Sequence, residues 1–491
     1  MSFREALGLV GINVFYLGVG SMLLWCLGAC RSWSAFGRLA GVAYFIGIAA
    51  LVIALTAELA VGIKFGSASI LTTGGAIAVS ALMVGLWLGR GEVTGRPSLR
   101  LPRLSLISAL WTGGLILYFE ALYRASALAP VGEWDAWWVW TIRAKALFYF
   151  GDIGDVQLVN GDVSDYPSYP PGLSLIHAAA FEAMGSDDAV SLHVQHWALS
   201  LGFVAAVLGL LLPRVRSAIL LPFVVIAVSM PLFIRWSTWL LADLLLAFQV
   251  ALSAILIFQW LERRERWRLA AASVLLGSSL LTKREAFVVV ACVLVAALAA
   301  SYRQRRYVWP RVTLAGFAAV ALAVPWWVAA YDEAAPSDGP LGVFDNPERI
   351  WPSLSLVTGV IIDADHSLGA GVLAGLAVVI ALRAGVRTSP TYLAVFLVGS
   401  LLSTSIVLAS EPLFELSRSP EASPVQRLVL VSLMSVAPLT AVVLSDAVSK
   451  VGAFRHVPSV RPANGSAMSS LTSWAVLVVF ALAYPVAVAL A

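Results

Sequence analysis

The sequence predicts an all-α, polytopic integral membrane protein with about fourteen transmembrane helices. The chain has 491 residues, of which 60% are hydrophobic and only 12% are charged, and its mean hydropathy is +0.88. Soluble domains are usually about 45–50% apolar and about 25% charged. Apolar windows of about 20 residues, the length that crosses a bilayer core, recur along nearly the whole chain. They lie at 7–29, 40–62, 68–89, 105–124, 190–211, 217–235, 238–260, 269–282, 286–301, 311–330, 368–384, 391–410, 426–447 and 470–490.

The first three windows form an N-terminal extension, residues 1–104, with almost no charge inside the membrane apart from Glu58 and Lys64 near one helix end. The first window is longer than the apolar core of a signal peptide, which is about 7–15 residues. We therefore expect a retained helix and a scaffold role for the extension.

The orientation follows from basic clusters in five loops. They fall at 90–103, 214–216, 263–268, 303–311 and 450–461. Basic loops stay on the cytoplasmic side, and all five do so if 134–171 lies outside. The net charge of +4 therefore reports topology, and no basic run is long enough to predict a nucleic-acid partner.

The catalytic membrane core is expected at 105–448, followed by a cytoplasmic linker and a last transmembrane helix at 449–491. Its first helix leads into a long outer loop, 125–171, and loops of that length are usually functional. The next segment, PPGLSLIHAAAFEAMG at 170–185, is too short to span and carries His177 and Glu182. We expect an interfacial or re-entrant helix there, with its polar groups covered by protein or a wet cavity.

The outer loop contains EWDAWWVWTIRAK, which combines four tryptophans with two acids and two bases. If it is helical, Asp135, Val139 and Arg143 share one face. Tryptophans favour the membrane interface, and their rings also stack on sugars. The alternative interpretation is an amphipathic interfacial helix whose basic side chains reach toward the head groups.

Asp243 lies near the start of the helix that begins at about residue 238. One interpretation is a helix N-terminal acid that pairs with Arg235 and is favoured by the helix dipole. The other is a functional carboxylate, because ionisable groups inside a membrane mark functional sites.

The apolar run 269–281 would be only about 20 Å long as a helix, whereas a bilayer core is about 30 Å thick. Lys283, Arg284 and Glu285 follow this run. We therefore expect them below the outer membrane surface, at a hairpin tip that lines a cavity.

Arg427 enters the membrane from the outer face. Alone it could anchor a lipid phosphate, and together with Lys283 and Asp135 it predicts a site for an anionic lipid head group. His193 and His196 are three residues apart with no obvious third ligand, so we assign no metal site.

Several short motifs resemble bacterial members of the GT-C membrane glycosyltransferases, a superfamily that includes protein O-mannosyltransferases and the lipid A aminoarabinose transferase. The resemblance covers roughly residues 105–448. Its motifs are the acid-bearing first outer loop, DYPSYPPGLSL at 165–175, Ala242 with Asp243, LLTKRE at 280–285, and a late helix with Arg427 and Pro438. The adjacent Asp-Glu pair of the family is replaced here by Glu133 and Asp135 with Trp134 between them, so the base remains open between these two acids.

The resemblance implies a bacterial inner-membrane enzyme whose site faces outward and transfers a sugar with inversion from a polyprenyl-phosphate carrier to a glycan, lipid or protein acceptor. A carboxylate would act as general base, with Asp135 as first choice and Glu133 as second. Cations would stabilise the leaving phosphate, and the candidates are Lys283, Arg427, Arg143 and Lys145. Sugar and acceptor contacts are expected from Trp134, Trp137, Trp138, Asp165, Tyr166, Asp243 and Glu285. Some members use a divalent cation, and Asp243 could be a ligand, but one acid does not make a site.

A transporter or lipid-carrier flippase is the alternative from a different class. It predicts sequence repeats and broken helices at matching positions. The sequence shows no internal repeat, and its acids cluster near the expected outer face rather than the midplane. The transferase interpretation is therefore preferred.

Overall fold

The computed structural model describes residues 1–91, 93, 106–153, 169–329, 347–409 and 423–451. Every regular element in these ranges is a helix, which confirms the all-α class. Asp165, Tyr166 and the expected last helix at 470–490 lie outside the described residues.

Eighteen α-helices, one π-helix and two 3-10 turns make up the described fold. They are α1 (Phe3–Cys26), α2 (Trp33–Ala60), α3 (Ser67–Trp87), α4 (Leu106–Leu128), the π-helix (Ala136–Thr141), α5 (Ile142–Phe150), α6 (Gly172–Met184), α7 (Leu192–Leu211), α8 (Ser217–Ser229), α9 (Pro231–Ser237), α10 (Ala242–Arg263), α11 (Arg266–Leu280), α12 (Ala286–Ala300), a 3-10 turn (Tyr302–Gln304), α13 (Arg305–Ala329), a 3-10 turn (Pro347–Arg349), α14 (Ile350–Ile362), α15 (Ala364–Ser367), α16 (Ala370–Arg383), α17 (Thr388–Leu408) and α18 (Ser423–Val451).

Within the described ranges, nine helices are long and apolar enough to cross a membrane: α1, α2, α3, α4, α7, α10, α13, α17 and α18. The pair α8 and α9, bent by 58°, is a tenth candidate. Three expected spans form shorter helices, namely α11 and α12 with 15 residues each and α16 with 14. A multi-pass membrane protein is therefore confirmed, but the described residues support nine or ten spans rather than about fourteen.

The core of the bundle is α10, whose apolar window is buried along its whole length. It packs against α11 and α18, and α18 also contacts α16 and α17. The central helices are therefore sheltered from lipid by protein, which allows polar side chains at their ends and along their length.

The N-terminal extension packs directly against this core. A Cβ on Gly41 of α2 would lie 2.3 Å from the Ala206 backbone nitrogen of α7, and within the extension a Cβ on Gly47 of α2 would lie 1.8 Å from the Tyr16 carbonyl oxygen of α1. Small residues of this kind let helix backbones approach closely in membranes. The Asn13 amide also donates to Gln195 Oε1 of α7 at 2.8 Å. The extension and the core thus share one tightly packed interface.

The expected short helix after the outer loop is present as α6, which has 13 residues and is buried along most of its length. His177 of α6 and His196 of α7 are buried, and their Nε2 atoms are 3.1 Å apart. The Gly172 amide at the start of α6 donates to the Leu281 carbonyl oxygen at 2.8 Å. This bond connects the end of the outer loop to the turn between α11 and α12.

Candidate functional site

Four separate parts of the chain meet at one end of the bundle. They are the residues before the π-helix, the start of α10, the turn between α11 and α12, and the start of α18. Each contributes one charged side chain to a cluster of ion pairs, which we call the charge cluster. Its members are Asp135, Asp243, Lys283 and Arg427.

Asp243 is at the centre of the charge cluster. It lies in the first turn of α10, and its side chain is 1% exposed. Its Oδ1 accepts from Lys283 Nζ at 2.8 Å, and its Oδ2 accepts from Arg427 Nε at 3.0 Å. The N-terminal end of the helix dipole also favours a carboxylate at this position. Asp243 therefore holds two cations from distant helices side by side.

Arg235, the alternative partner considered for Asp243, makes different contacts. Its Nη1 donates to Gln426 Oε1 at 3.0 Å, and its guanidinium lies 4.3 Å from the centre of the Trp239 ring. Asp243 is thus an acid at the start of a helix, as the first interpretation predicts, but it pairs with Lys283 and Arg427 rather than with Arg235.

The turn that carries Lys283 is short; Thr282 and Lys283 are buried, whereas Arg284 is exposed, and the depth of the turn in the membrane stays a prediction. Lys283 is 4% exposed, and its Nζ also lies 3.3 Å from Glu285 Oε1. Thr282 in the same turn donates to Gln249 Oε1 of α10 at 3.2 Å. This bond inside the bundle and the Gly172 bond from α6 fix the turn from two sides.

Arg427 connects the charge cluster to the outer loop. Its Nη1 donates to Asp135 Oδ2, while its Nε donates to Asp243. The predicted meeting of Asp135, Lys283 and Arg427 is therefore present in the structure. Lys283 and Arg427 are, however, already paired with acids. The four side chains together carry two negative and two positive charges.

Glu133 lies beside the charge cluster without a hydrogen-bond partner of its own among the described side chains. Burial raises the pKa of its carboxyl above the ordinary value, while the positive charges of Arg235 and Arg427 act in the opposite direction. A carboxylate with a raised pKa accepts a proton more readily.

The tryptophans of the outer loop form an aromatic group next to these acids. Trp134 and Trp137 are 48% and 42% exposed. The ring centre of Trp138 lies 6.0 Å from that of Trp134 and 5.1 Å from that of Trp137. Trp134 and Trp137 are thus both about half exposed, next in sequence to Glu133 and Asp135.

Arg143 and Lys145 occupy different places. Arg143 is buried, and its Nη2 donates to the Tyr169 carbonyl oxygen at 2.7 Å, so it supports the returning end of the outer loop. Lys145 pairs with Asp187 at 2.7 Å, and both side chains are more than a third exposed. The described contacts thus place Lys145 in a surface ion pair rather than in the charge cluster.

Tyr169 is a candidate that sequence reasoning did not single out. Burial raises the pKa of its hydroxyl, and it interacts electrostatically with Glu285, Arg427 and Asp135. The Arg284 guanidinium lies 5.4 Å from the centre of its ring. The motif DYPSYPP contains two tyrosines, and nothing in their spacing distinguishes Tyr169 from Tyr166, which lies outside the described residues.

The described residues contain no group of three or more His, Cys, Asp or Glu side chains that could hold a metal ion. Both carboxylate oxygens of Asp243, the ligand considered for a divalent cation, contact the side chains of Lys283 and Arg427. Divalent-cation use stays a prediction from the resemblance.

A scan against protein-family models, a search of curated proteins and a search of solved structures found no match to this chain. The resemblance to GT-C glycosyltransferases therefore stays a prediction that depends on the short motifs and on the geometry of the charge cluster.

Proposed function

We propose that this protein is an inverting membrane glycosyltransferase that uses a polyprenyl-phosphate-linked sugar. One observation carries the proposal: acids and cations from four distant segments converge beside half-exposed tryptophans at one end of a multi-pass helical bundle. Buried charges are costly in membranes and generally mark functional sites. The proposed acceptor is an extracytoplasmic glycan, lipid or protein.

The proposed reaction is a single displacement at the anomeric carbon. The acceptor hydroxyl oxygen forms a bond to that carbon while the bond to the phosphate oxygen breaks. The hydroxyl proton passes to a protein carboxylate. The polyprenyl phosphate leaves with the electron pair, and nearby cations stabilise its negative charge.

The contacts support Glu133 ahead of Asp135 as the base. Asp135 Oδ2 accepts from Arg427, whereas Glu133 has no such partner in the described part of the chain and has a raised pKa. In this assignment Asp135 orients Arg427. This assignment reverses the preference from the sequence, which placed Asp135 ahead of Glu133.

Lys283 and Arg427 are the proposed phosphate ligands. Asp243 holds them next to each other, and each still has N–H groups beyond those that bond Asp243. A guanidinium can bind phosphate through two parallel hydrogen bonds. We propose that the donor phosphate replaces Asp135 at Arg427, while Asp243 keeps both cations in place.

The test is transfer of label from a polyprenyl-phosphate sugar by the purified protein in lipid. Glu133→Gln should abolish transfer, whereas Asp135→Asn should retain donor use, because the donor phosphate replaces Asp135 at Arg427. Asp187→Asn is the control, because that acid pairs with Lys145 in a surface ion pair. Full transfer by Glu133→Gln would remove it as the base, and absence of any bound polyprenyl phosphate in mass spectra of the wild type would remove the donor assignment.

A transporter or flippase is the second candidate, favoured by the bend of 58° between α8 and α9. Broken helices next to a polar site are typical of transporters, and Arg235 of α9 contacts Gln426 beside Arg427. Liposomes separate the two functions. Movement of a labelled lipid carrier across the bilayer without formation of a new glycosidic bond would favour the transporter.

A further inference from the structure

A second group of charged side chains lies at the opposite end of α10 from Asp243. It consists of Arg38 of α2, Arg263 at the end of α10, and Arg268 of α11, and we call it the arginine cluster. The 22 residues of α10 correspond to about 33 Å of helix. The arginine cluster is therefore about one bilayer core away from the charge cluster and cannot belong to the same site.

Arg38 is the unusual member of the arginine cluster. It lies five residues inside α2, where its side chain is half-buried. Its buried Nε has no hydrogen-bond partner among the residues that the structure describes. A buried N–H without an acceptor costs free energy. Its position thus indicates an acceptor that the protein itself does not supply there.

The neighbours of Arg38 increase this cost. Arg263 and Arg268 both interact with it electrostatically and repel it. Arg268 is 5% exposed and donates to Glu265 Oε2 at 2.9 Å and to Gln259 Oε1. Glu265 attracts both Arg38 and Arg268, so the three guanidinium groups of the arginine cluster share this carboxylate. The other two described carboxylates at this end of the bundle, Glu262 and Asp446, pair with Arg214.

We propose that the arginine cluster binds the phosphate group of an anionic phospholipid in the leaflet opposite the charge cluster. Guanidinium groups bind phosphate oxygens through paired hydrogen bonds, and basic pockets between membrane helices bind acidic head groups. The phosphate would accept from the Arg38 guanidinium and relieve the repulsion among the three arginines. Trp33, at the start of α2 and 49% exposed, supplies an aromatic ring of the type that lies at head-group level. This site is independent of the proposed transfer reaction.

The experiment uses the purified full chain in neutral detergent. Retention of phosphatidylglycerol and of phosphatidylethanolamine is measured by native mass spectrometry, and thermal unfolding is measured with each lipid and with inorganic phosphate. The test variant is Arg38→Gln. Arg306→Gln is the matched control, because Arg306 is an exposed arginine in the first turn of α13, at the same end of the bundle.

We expect the wild type to prefer phosphatidylglycerol and to be stabilised by it, and we expect Arg38→Gln to weaken its binding about tenfold, the loss of one charge-assisted hydrogen bond. Arg306→Gln should bind as the wild type does. Without lipid, Arg38→Gln should be at least as stable as the wild type, because it removes a half-buried guanidinium and its repulsion from Arg263 and Arg268.

Equal retention by Arg38→Gln and the wild type, or equal loss in both variants, would overturn the proposal. Stabilisation by inorganic phosphate to the same extent as by phosphatidylglycerol would assign the site to a soluble anion instead of a lipid. Lower stability of Arg38→Gln without lipid would show that the protein already compensates Arg38, and this would also overturn it.

Discussion

Asp243→Asn tests whether the charge cluster is an energetically coupled unit. The substitution keeps the shape of the side chain and removes its charge. Asp243 and Lys283 are 2.8 Å apart, and their side chains are 1% and 5% exposed. At an effective dielectric constant of about 20, two unit charges at that distance attract by about 6 kcal/mol before desolvation is subtracted. Measured costs of removing one partner of a buried pair are about 3–5 kcal/mol, and we expect a loss in that range.

The assay is a double-mutant cycle on reversible unfolding in mixed micelles, with Asp243→Asn, Lys283→Met and the double variant. Each single variant leaves a buried charge with fewer partners. The loss of stability in the double variant should therefore be smaller than the sum of the two single losses, by about 2 kcal/mol or more. The surface pair Lys145 and Asp187 is the control, with an expected coupling of about 0.2–1 kcal/mol. Additive effects, or a loss in Asp243→Asn no larger than in Asp187→Asn, would refute the reasoning.

Three further predictions concern the site. Glu133→Gln should abolish transfer, and the wild-type rate should fall as pH is lowered through a pKa above the ordinary glutamate value, because the base must be deprotonated; a pH–rate profile measures this. Gly172→Ala should lower the unfolding temperature, because its Cβ would lie 2.5 Å from the Leu281 carbonyl oxygen; overpacking of this kind costs about 1–3 kcal/mol. Replacing both Trp134 and Trp137 by Ala should raise the KM for the sugar donor about tenfold while the protein stays folded, because both rings are half-exposed.

Each of these predictions has an outcome that contradicts it. A transfer rate that stays constant as the pH falls to the pKa of an ordinary glutamate would show that Glu133 does not accept the proton. An unchanged unfolding temperature for Gly172→Ala would mean that the turn between α11 and α12 shifts freely. Loss of folded protein in the double tryptophan variant would show that these rings stabilise the fold instead of binding sugar.

Much of the fold follows from the sequence because hydropathy windows report local properties of the chain. The apolar runs predict α2, α10 and α18 to within several residues at each end, and the short helix α6 follows from the length of its segment. The number of spans is less predictable, since a window average does not separate a 15-residue helix such as α11 from a complete crossing.

The site is predictable in part. The unusual positions of Asp135, Lys283 and Arg427 identify them, because charges are rare in membrane helices. Their pairing was not predictable, since it depends on how α10, α18 and the turn after α11 pack against one another. For the same reason Lys145, which is close to Asp135 in sequence, pairs with Asp187.

The π-helix between Asp135 and Arg143 makes the relative orientation of these two side chains depend on the number of residues between them. In a regular α-helix, two residues eight positions apart differ by about 80° around the axis, whereas the wider turns of a π-helix, with hydrogen bonds from i to i+5, reduce that rotation. Asp135 can therefore contact Arg427 while Arg143 reaches Tyr169. Deleting one residue from Ala136–Thr141 would restore α-helical winding and turn the two ends out of phase, so a single-codon deletion would disturb the site more than most substitutions in the same stretch.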